Sequence, residues 1–253
     1  MVSVAFSPFP ITRLTIRQFA RGKSLLVAAG IVFFPVLFAI LGLLAPDGLT
    51  VRQLRQLLSS VIFLGAFTGT LLPVATLLLA SGAFGDELDD RTLSYLTLKP
   101  ISRLRIVIEK LLGVLIVGIL LAWTGILATV GVAAWGRYDA VEDLVWPMLL
   151  STAAGVIGFG SFFLLLSLYI PRALLTGLFY TFVWESALAR FLPGIRTISI
   201  RHYAQSIFAE LADDRRIVLA QQAELRTSVI TVVAICVLSI ALGTWRLRRM
   251  NLE

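Results

Sequence analysis

Five stretches of the chain carry no charged residue and are each long enough to cross a bilayer: 24–46, 56–85, 111–136, 144–171 and 227–245. About 20 apolar residues span some 30 Å of hydrocarbon as an α-helix. A sixth stretch, 173–191, is equally apolar except for Glu185 and Arg190. Lipid cannot satisfy backbone amides, so such runs must be helices or a closed barrel. Barrel strands alternate apolar and polar positions over roughly ten residues. These runs are continuous and longer. The pattern therefore predicts an all-α polytopic membrane protein with six transmembrane helices, at about 24–45, 57–82, 108–135, 145–170, 173–192 and 227–246. No internal repeat and no low-complexity linker divides the chain, so residues 1–253 read as a single membrane domain.

Two polar segments carry their own pattern. Near the N-terminus, Arg13, Arg17 and Arg21 recur every four residues, with Ile11, Thr15, Ile16 and Phe19 on the other side and Leu14 out of register. This predicts an amphipathic helix at about 8–22, lying in the headgroup layer. The apolar run that follows is too long for the core of a signal peptide, and reads as an uncleaved first span. Between the second and third spans, residues 86–110 hold five acids and five bases. Glu87 and Arg91 stand in the favourable order for an i,i+4 helical pair. Leu88, Leu93, Tyr95, Leu96 and Leu98 add apolar surface beyond what a solvated loop needs. Pro100 ends this helix, and Ser102 is placed to cap a second one that runs into the third span. A short amphipathic helix across the mouth of two spans either docks a partner or rests on the membrane. The pattern alone favours neither.

Composition narrows the class. Of 253 residues, 58% are hydrophobic and 15% charged, against about 45–50% and 25% in soluble domains. The mean hydropathy is +0.92. An ordinary soluble enzyme, a disordered chain and a DNA-binding domain are excluded, so the net charge of +7 implies no nucleic-acid partner. With six spans, 13 of the 22 basic residues fall on the side that holds both termini. The positive-inside rule makes that side the cytoplasm. Against it stand six arginines in the long 190–226 segment opposite. The lone Cys236 forms no internal disulfide. With one histidine and three methionines, no metal site is expected.

No catalytic constellation is present. Gly22-Lys23-Ser24 matches the last three positions of a phosphate loop, but Arg17 stands where its first glycine belongs and a membrane span follows. Neither a zinc-protease helix nor a nucleophile elbow occurs, and His202 reads as an interfacial loop residue. Glu185 is the outstanding charge, because a carboxylate at mid-membrane costs roughly 2.5–3.5 kcal/mol on insertion scales. It fits a transport path or gating network, or equally a structural ion pair with Arg190. Gly65 and Gly69 in the second span, and Gly155, Gly158 and Gly160 in the fourth, suit close helix packing within the chain.

The run Asp86-Glu87…Arg91-Thr92-Leu93-Ser94-Tyr95-Leu96…Lys99-Pro100-Ile101-Ser102-Arg103…Glu109-Lys110-Leu111-Leu112-Gly113 resembles the signature of type-two ATP-binding-cassette (ABC) exporter permeases. In that family an acidic pair, a Thr-Leu-x-x-Leu, a Pro-x-x-Arg turn and a Gly-Lys-Leu-like stretch mark the cytoplasmic loop after the second span. Two positions depart from it: Arg91 where glycine is common, and Glu109 where a small residue often precedes the lysine. A second stretch, Trp184-Glu185-Ser186…Leu192-Pro193-Gly194-Ile195-Arg196-Thr197-Ile198-Ser199…His202-Tyr203, is similar to the end of the fifth span and the outer loop in one branch of the family.

The resemblance implies a permease subunit of an ATP-driven exporter in a prokaryotic inner membrane, paired with a second copy or a paralogue. It implies an elbow helix at the N-terminus and short re-entrant helices within 190–226. It also implies a coupling helix at 86–99 that docks on a cytoplasmic ABC ATPase dimer. The coupling residues would be Asp86, Glu87, Asp90, Arg91, Thr92, Leu93, Tyr95, Leu96, Pro100 and Arg103. Such a subunit is not an enzyme. It binds no cofactor itself, and ATP with magnesium belongs to the partner. An ion-gradient transporter would carry more intramembrane charge. A non-transporting assembly subunit is the other alternative.

Overall fold

The computed structural model describes residues 9–44, 49–89, 101–188, 198–214, 217, 219 and 221–249, with backbone alone at 86–89 and 186–188. Every regular element among the described residues is helical. Helix α1 (Pro10–Arg21) begins on a proline, whose missing N–H costs nothing at a first helical position. The first span is two helices, α2 (Lys23–Phe33) and α3 (Pro35–Leu43), because Pro35 removes one bond of the ladder.

The second span starts earlier than its apolar run suggests. Helix α4 (Val51–Gln56) opens with a reciprocal cap, in which the Thr50 hydroxyl accepts from the Gln53 N–H while the Gln53 side chain accepts from the Thr50 N–H. It continues as a π-helical segment, Leu57–Leu71, and then α5 (Leu72–Asp89). Residues 86–89 thus extend the helix of the second span rather than starting a separate one.

Helix α6 (Arg103–Ala133) is capped by the Ser102 hydroxyl at the position the sequence marks. Helix α7 (Glu142–Tyr169) carries Pro147 inside its second turn. Arg172, in the left-handed conformation at φ 60°, turns the chain into α8 (Ala173–Phe179). A π-helical segment, Tyr180–Leu188, follows. The chain closes with α9 (Ile200–Ala212) and α10 (Leu225–Arg249).

Among the described residues, five stretches are long and apolar enough to cross a membrane: Lys23–Leu43, Val51–Gly85, Arg103–Ala133, Glu142–Tyr169 and Leu225–Arg249. The sixth expected span is represented by α8 and its π segment, 7 and 9 residues. That is at most about 24 Å of helix, and the rest of 173–192 lies outside the described residues.

Helix α7 is the centre of the bundle, with 61% of its apolar window buried, against 22% for the first span and 17% for α10. The outer helices present Leu26, Leu37, Leu41, Val233, Val237 and Leu238 outward, as lipid-facing helices do. Close approach relies on missing side chains. A Cβ at Gly125 would lie 2.3 Å from the Val32 side chain, and one at Gly177 would lie 2.3 Å from Leu77. Gly155 and Gly158 face Leu72, Ala204 and Ile200, so they pack helices of the same chain, as expected. Gly65 is exposed.

Candidate functional site

Helices α6 and α7 run antiparallel, with Gly118 facing Val156 and Gly160 facing Leu115, and α1 packs near the start of α6, at one end of the bundle. We call this the basal end. Phe9, at the N-cap of α1, offers no side-chain acceptor for the first turn. Glu109 of α6 supplies one. Its Oε2 accepts from the Ile11 N–H at 2.7 Å and the Thr12 N–H at 3.3 Å. The Thr12 hydroxyl donates to the Glu109 backbone carbonyl at 2.9 Å.

The carboxylate is 1% exposed. Its charge is balanced by Arg105 one turn earlier, whose Nε lies 2.6 Å from Oε1, and by the positive end of α1. Lys110, next in sequence and also 1% exposed, turns to the other side. Its Nζ donates to the Ala83 carbonyl of α5 and lies 4.7 Å from the Phe84 ring centroid. Gly113, one turn further, admits Thr15 of α1, because a Cβ there would be 2.9 Å from that side chain. Adjacent residues of α6 therefore fasten α1 and the end of α5.

Glu185, also 1% exposed, performs the same service inside the bundle. Its carboxylate accepts from the Tyr180 hydroxyl at 2.8 Å, from the Ser199 hydroxyl, and from the Ile200 N–H at 3.0 Å. Ser199 is in turn the N-cap of α9, accepting from the His202 N–H at 3.1 Å. The start of α9 packs on Gly158, about 24 Å along α7 from its first residue. A Cβ at Gly69 would lie 3.2 Å from Nη2 of Arg201, so the second span leaves room there for a guanidinium. Gln205 donates to the Leu64 carbonyl at 2.8 Å and the Thr68 hydroxyl at 2.9 Å, both in the π segment of that span. The Ser151 hydroxyl of α7 donates to the Ala204 carbonyl at 2.6 Å. A π segment loosens the i,i+4 ladder, and such segments recur at functional sites. Here both π segments, Leu57–Leu71 and Tyr180–Leu188, supply partners to α9.

At the opposite end, Arg55 holds Asp143 through two bonds of 2.8 and 2.7 Å, Asp214 at 3.2 Å, and the Ala140 carbonyl at 2.9 Å. It ties α4, the turn before α7 and the exit of α9. A cavity of about 180 Å³ beside it is lined by Arg52, Arg55, Gln56, Ser59, Ser60, Asp214 and Ile217.

The expected coupling residues divide by position. Asp90, Arg91, Thr92, Leu93, Tyr95, Leu96 and Pro100 lie outside the described residues. The backbone at Asp86 and Glu87 belongs to the last turn of α5. Arg103 is half-buried in the first turn of α6. Arg190, the ion-pair partner considered for Glu185, is outside the described residues. The residues that complete both buried networks are Tyr180, Ser199, Arg201, Gln205 and Lys110. Lys110 and Ser199 fall within the family-like stretches but with no partner assigned, and Tyr180, Arg201 and Gln205 carried no sequence signal beyond polarity. Glu109 did carry one, as a departure from the family pattern.

Stacked apolar helices with lipid-facing flanks, and charged side chains that among the described residues gather towards helix ends and in one inner network, define a multi-pass α-helical membrane protein. The family model described as ABC-2 family transporter protein matches residues 20–191, more than half of the chain. The chain belongs to that family and is a membrane permease of the ABC-2 type. No curated protein matches the chain.

Proposed function

We propose that the chain is one half of the transport path of an ATP-driven exporter, and that it is moved by a separate cytoplasmic ABC ATPase. Two permease copies, or this chain and a paralogue, enclose the path. The basal end, which carries α1 and the last turns of α10, is the cytoplasmic side of a prokaryotic inner membrane. ATP and its magnesium act in the partner, and this chain performs no covalent step. In this reading residues 86–99 are the coupling element, α1 is the elbow helix and α9 is a re-entrant helix of the outer half.

The observation that carries the proposal is the fastening at Glu109 and Lys110. The helices on either side of the 90–100 segment are joined to each other through Lys110 and Ala83, and to α1 through Glu109. A push on that segment by a motor would move three elements together. Such motion would bias the pair between inward- and outward-open states. Glu185 then serves gating through the start of α9 rather than substrate contact, since donors of the same chain occupy its carboxylate.

The test is affinity purification from the native cell, followed by ATPase and transport assays in vesicles. An ABC ATPase should co-purify. Aspartate at Leu93, Tyr95 or Leu96 should abolish either its retention or its coupling to transport, with the permease still folded. Full transport by this chain alone would overturn the proposal. Unchanged transport by E185A in a normally assembled complex would remove Glu185 from gating.

A further inference from the structure

Buried donors in folded proteins are almost always paired, so an unpaired one asks for an explanation. Among the described residues, four buried side-chain polar atoms have no hydrogen-bond partner. Two are hydroxyls, on Thr152 and Ser228, and two are guanidinium nitrogens, Nη1 of Arg103 and Nε of Arg246.

The two arginines belong to the same corner of the basal end. A Cβ on Gly243 of α10 would lie 3.6 Å from Val107 of α6 and 3.3 Å from Leu168 of α7. The last turns of α10 therefore run along the first turns of α6 and the end of α7. α6 and α10 are antiparallel. Arg103, one turn before Val107, and Arg246, three residues after Gly243, thus both lie one turn nearer the basal face. Arg246 is fixed there by Tyr169, the last residue of α7, with its guanidinium carbon 5.3 Å from the ring centroid. The Tyr169 hydroxyl reaches the Leu242 carbonyl at 3.4 Å.

No described carboxylate pairs with either arginine. The buried acid of this end, Glu109, is taken by Arg105 and α1. Arg248 and Arg249 add charge on the same turn of α10. Below this corner α10 turns an apolar face outward, with Leu242, Leu238 and Trp245 about half exposed. Two cations over an apolar, lipid-facing wall match an amphiphile with an anionic head. Guanidinium groups suit phosphate oxygens in geometry as well as charge.

We propose that Arg103 and Arg246 together bind the phosphate of a membrane phospholipid, preferentially an anionic one, whose acyl chains lie along α10. The site does not depend on the transport reading. It needs only that the chain sits in a bilayer.

The test uses the full chain purified in mild detergent. Native mass spectrometry should show a retained phospholipid. The R103Q/R246Q double variant should retain at least tenfold less, while R248Q/R249Q, which leaves the paired site intact, retains it. Adding phosphatidylglycerol to delipidated protein should raise its thermal midpoint, and phosphatidylcholine should raise it less. Neither should act on R103Q/R246Q. Inorganic phosphate giving the same rise would make the site one for a free anion and overturn the lipid assignment. Equal lipid retention by wild type and R103Q/R246Q would overturn the site itself. Should the double glutamine variant fold poorly, R103K/R246K keeps the charges but loses the fork geometry. It should bind with intermediate strength, and wild-type retention there would equally defeat the proposal.

Discussion

Glu109 and Glu185 are buried to the same degree and do the same structural work, yet by different chemistry. Each caps the N-terminus of another helix: Glu109, on the long α6, caps α1, and Glu185, on the short π segment after α8, caps α9. Glu109 has a formal cation, Arg105, whose other face is half exposed. Glu185 accepts from two neutral hydroxyls and a backbone N–H, deep in the bundle. The basal cap is therefore a charge-paired joint that water can still reach. The inner cap is bonded by neutral donors, with the Arg201 guanidinium acting on its charge through space, and is sealed from water. Breaking the sealed one leaves more donors with nowhere to turn, because unpaired buried groups keep their full desolvation penalty.

The largest expected effect is at the inner cap. E185A should lower stability by about 3 kcal/mol, since it orphans the Tyr180 and Ser199 hydroxyls and the Ile200 N–H at once. Denaturant or thermal unfolding in detergent measures it. A change below about 1 kcal/mol would mean that α9 does not rely on this carboxylate.

E109A should cost less, about 2 kcal/mol, because Arg105 and the first turn of α1 can recruit water. Its signature is local. Limited trypsin digestion should cut faster at Arg13, Arg17 and Arg21, which lie on the exposed side of α1, before the bundle opens. The glutamine variants sharpen the contrast by reversing the order. E185Q should recover most of the loss, because hydroxyls can accept from an amide as well as donate to it. E109Q should recover little, because its amide donors would face Arg105 and two N–H groups.

The smallest effect belongs to the opposite end. R55Q should cost no more than about 1 kcal/mol, and the cost should shrink further in high salt, as for partly exposed ion pairs. A salt-independent loss would place Arg55 with the buried caps instead.

Five of the six expected spans were legible because lipid imposes so strong a rule on backbone hydrogen bonds that a count of uncharged residues finds the helices. Ser102 as a cap, the α1 stripe and intramolecular packing at Gly155 and Gly158 were legible for similar local reasons. The N-terminal boundary of the second span was not, because Thr50 and Gln53 cap a helix through reciprocal side-chain bonds that precede the apolar run. Arg52 and Arg55 lie in that helix, and their charges argued against it. The continuation of α5 through Asp89 was equally hidden, since an acidic run reads as loop until the helix behind it is seen. The part played by Lys110 was obscured by the family pattern itself, which marks a lysine there without naming its partner.

The sequence by itself determined that this is a helical membrane permease with an amphipathic N-terminal arm. The helices and the arm follow from hydropathy period and local capping, which act over a few neighbouring residues, whereas the permease class rests on the resemblance of the 86–113 run to its family. Only the tertiary structure decided what the buried charges do. Glu109 meets residues 98 and 97 positions away, and Glu185 meets residues 14 and 15 positions away. A charge inside a membrane protein is tolerated by whichever donors the fold brings to it, and that pairing is set by how the helices pack.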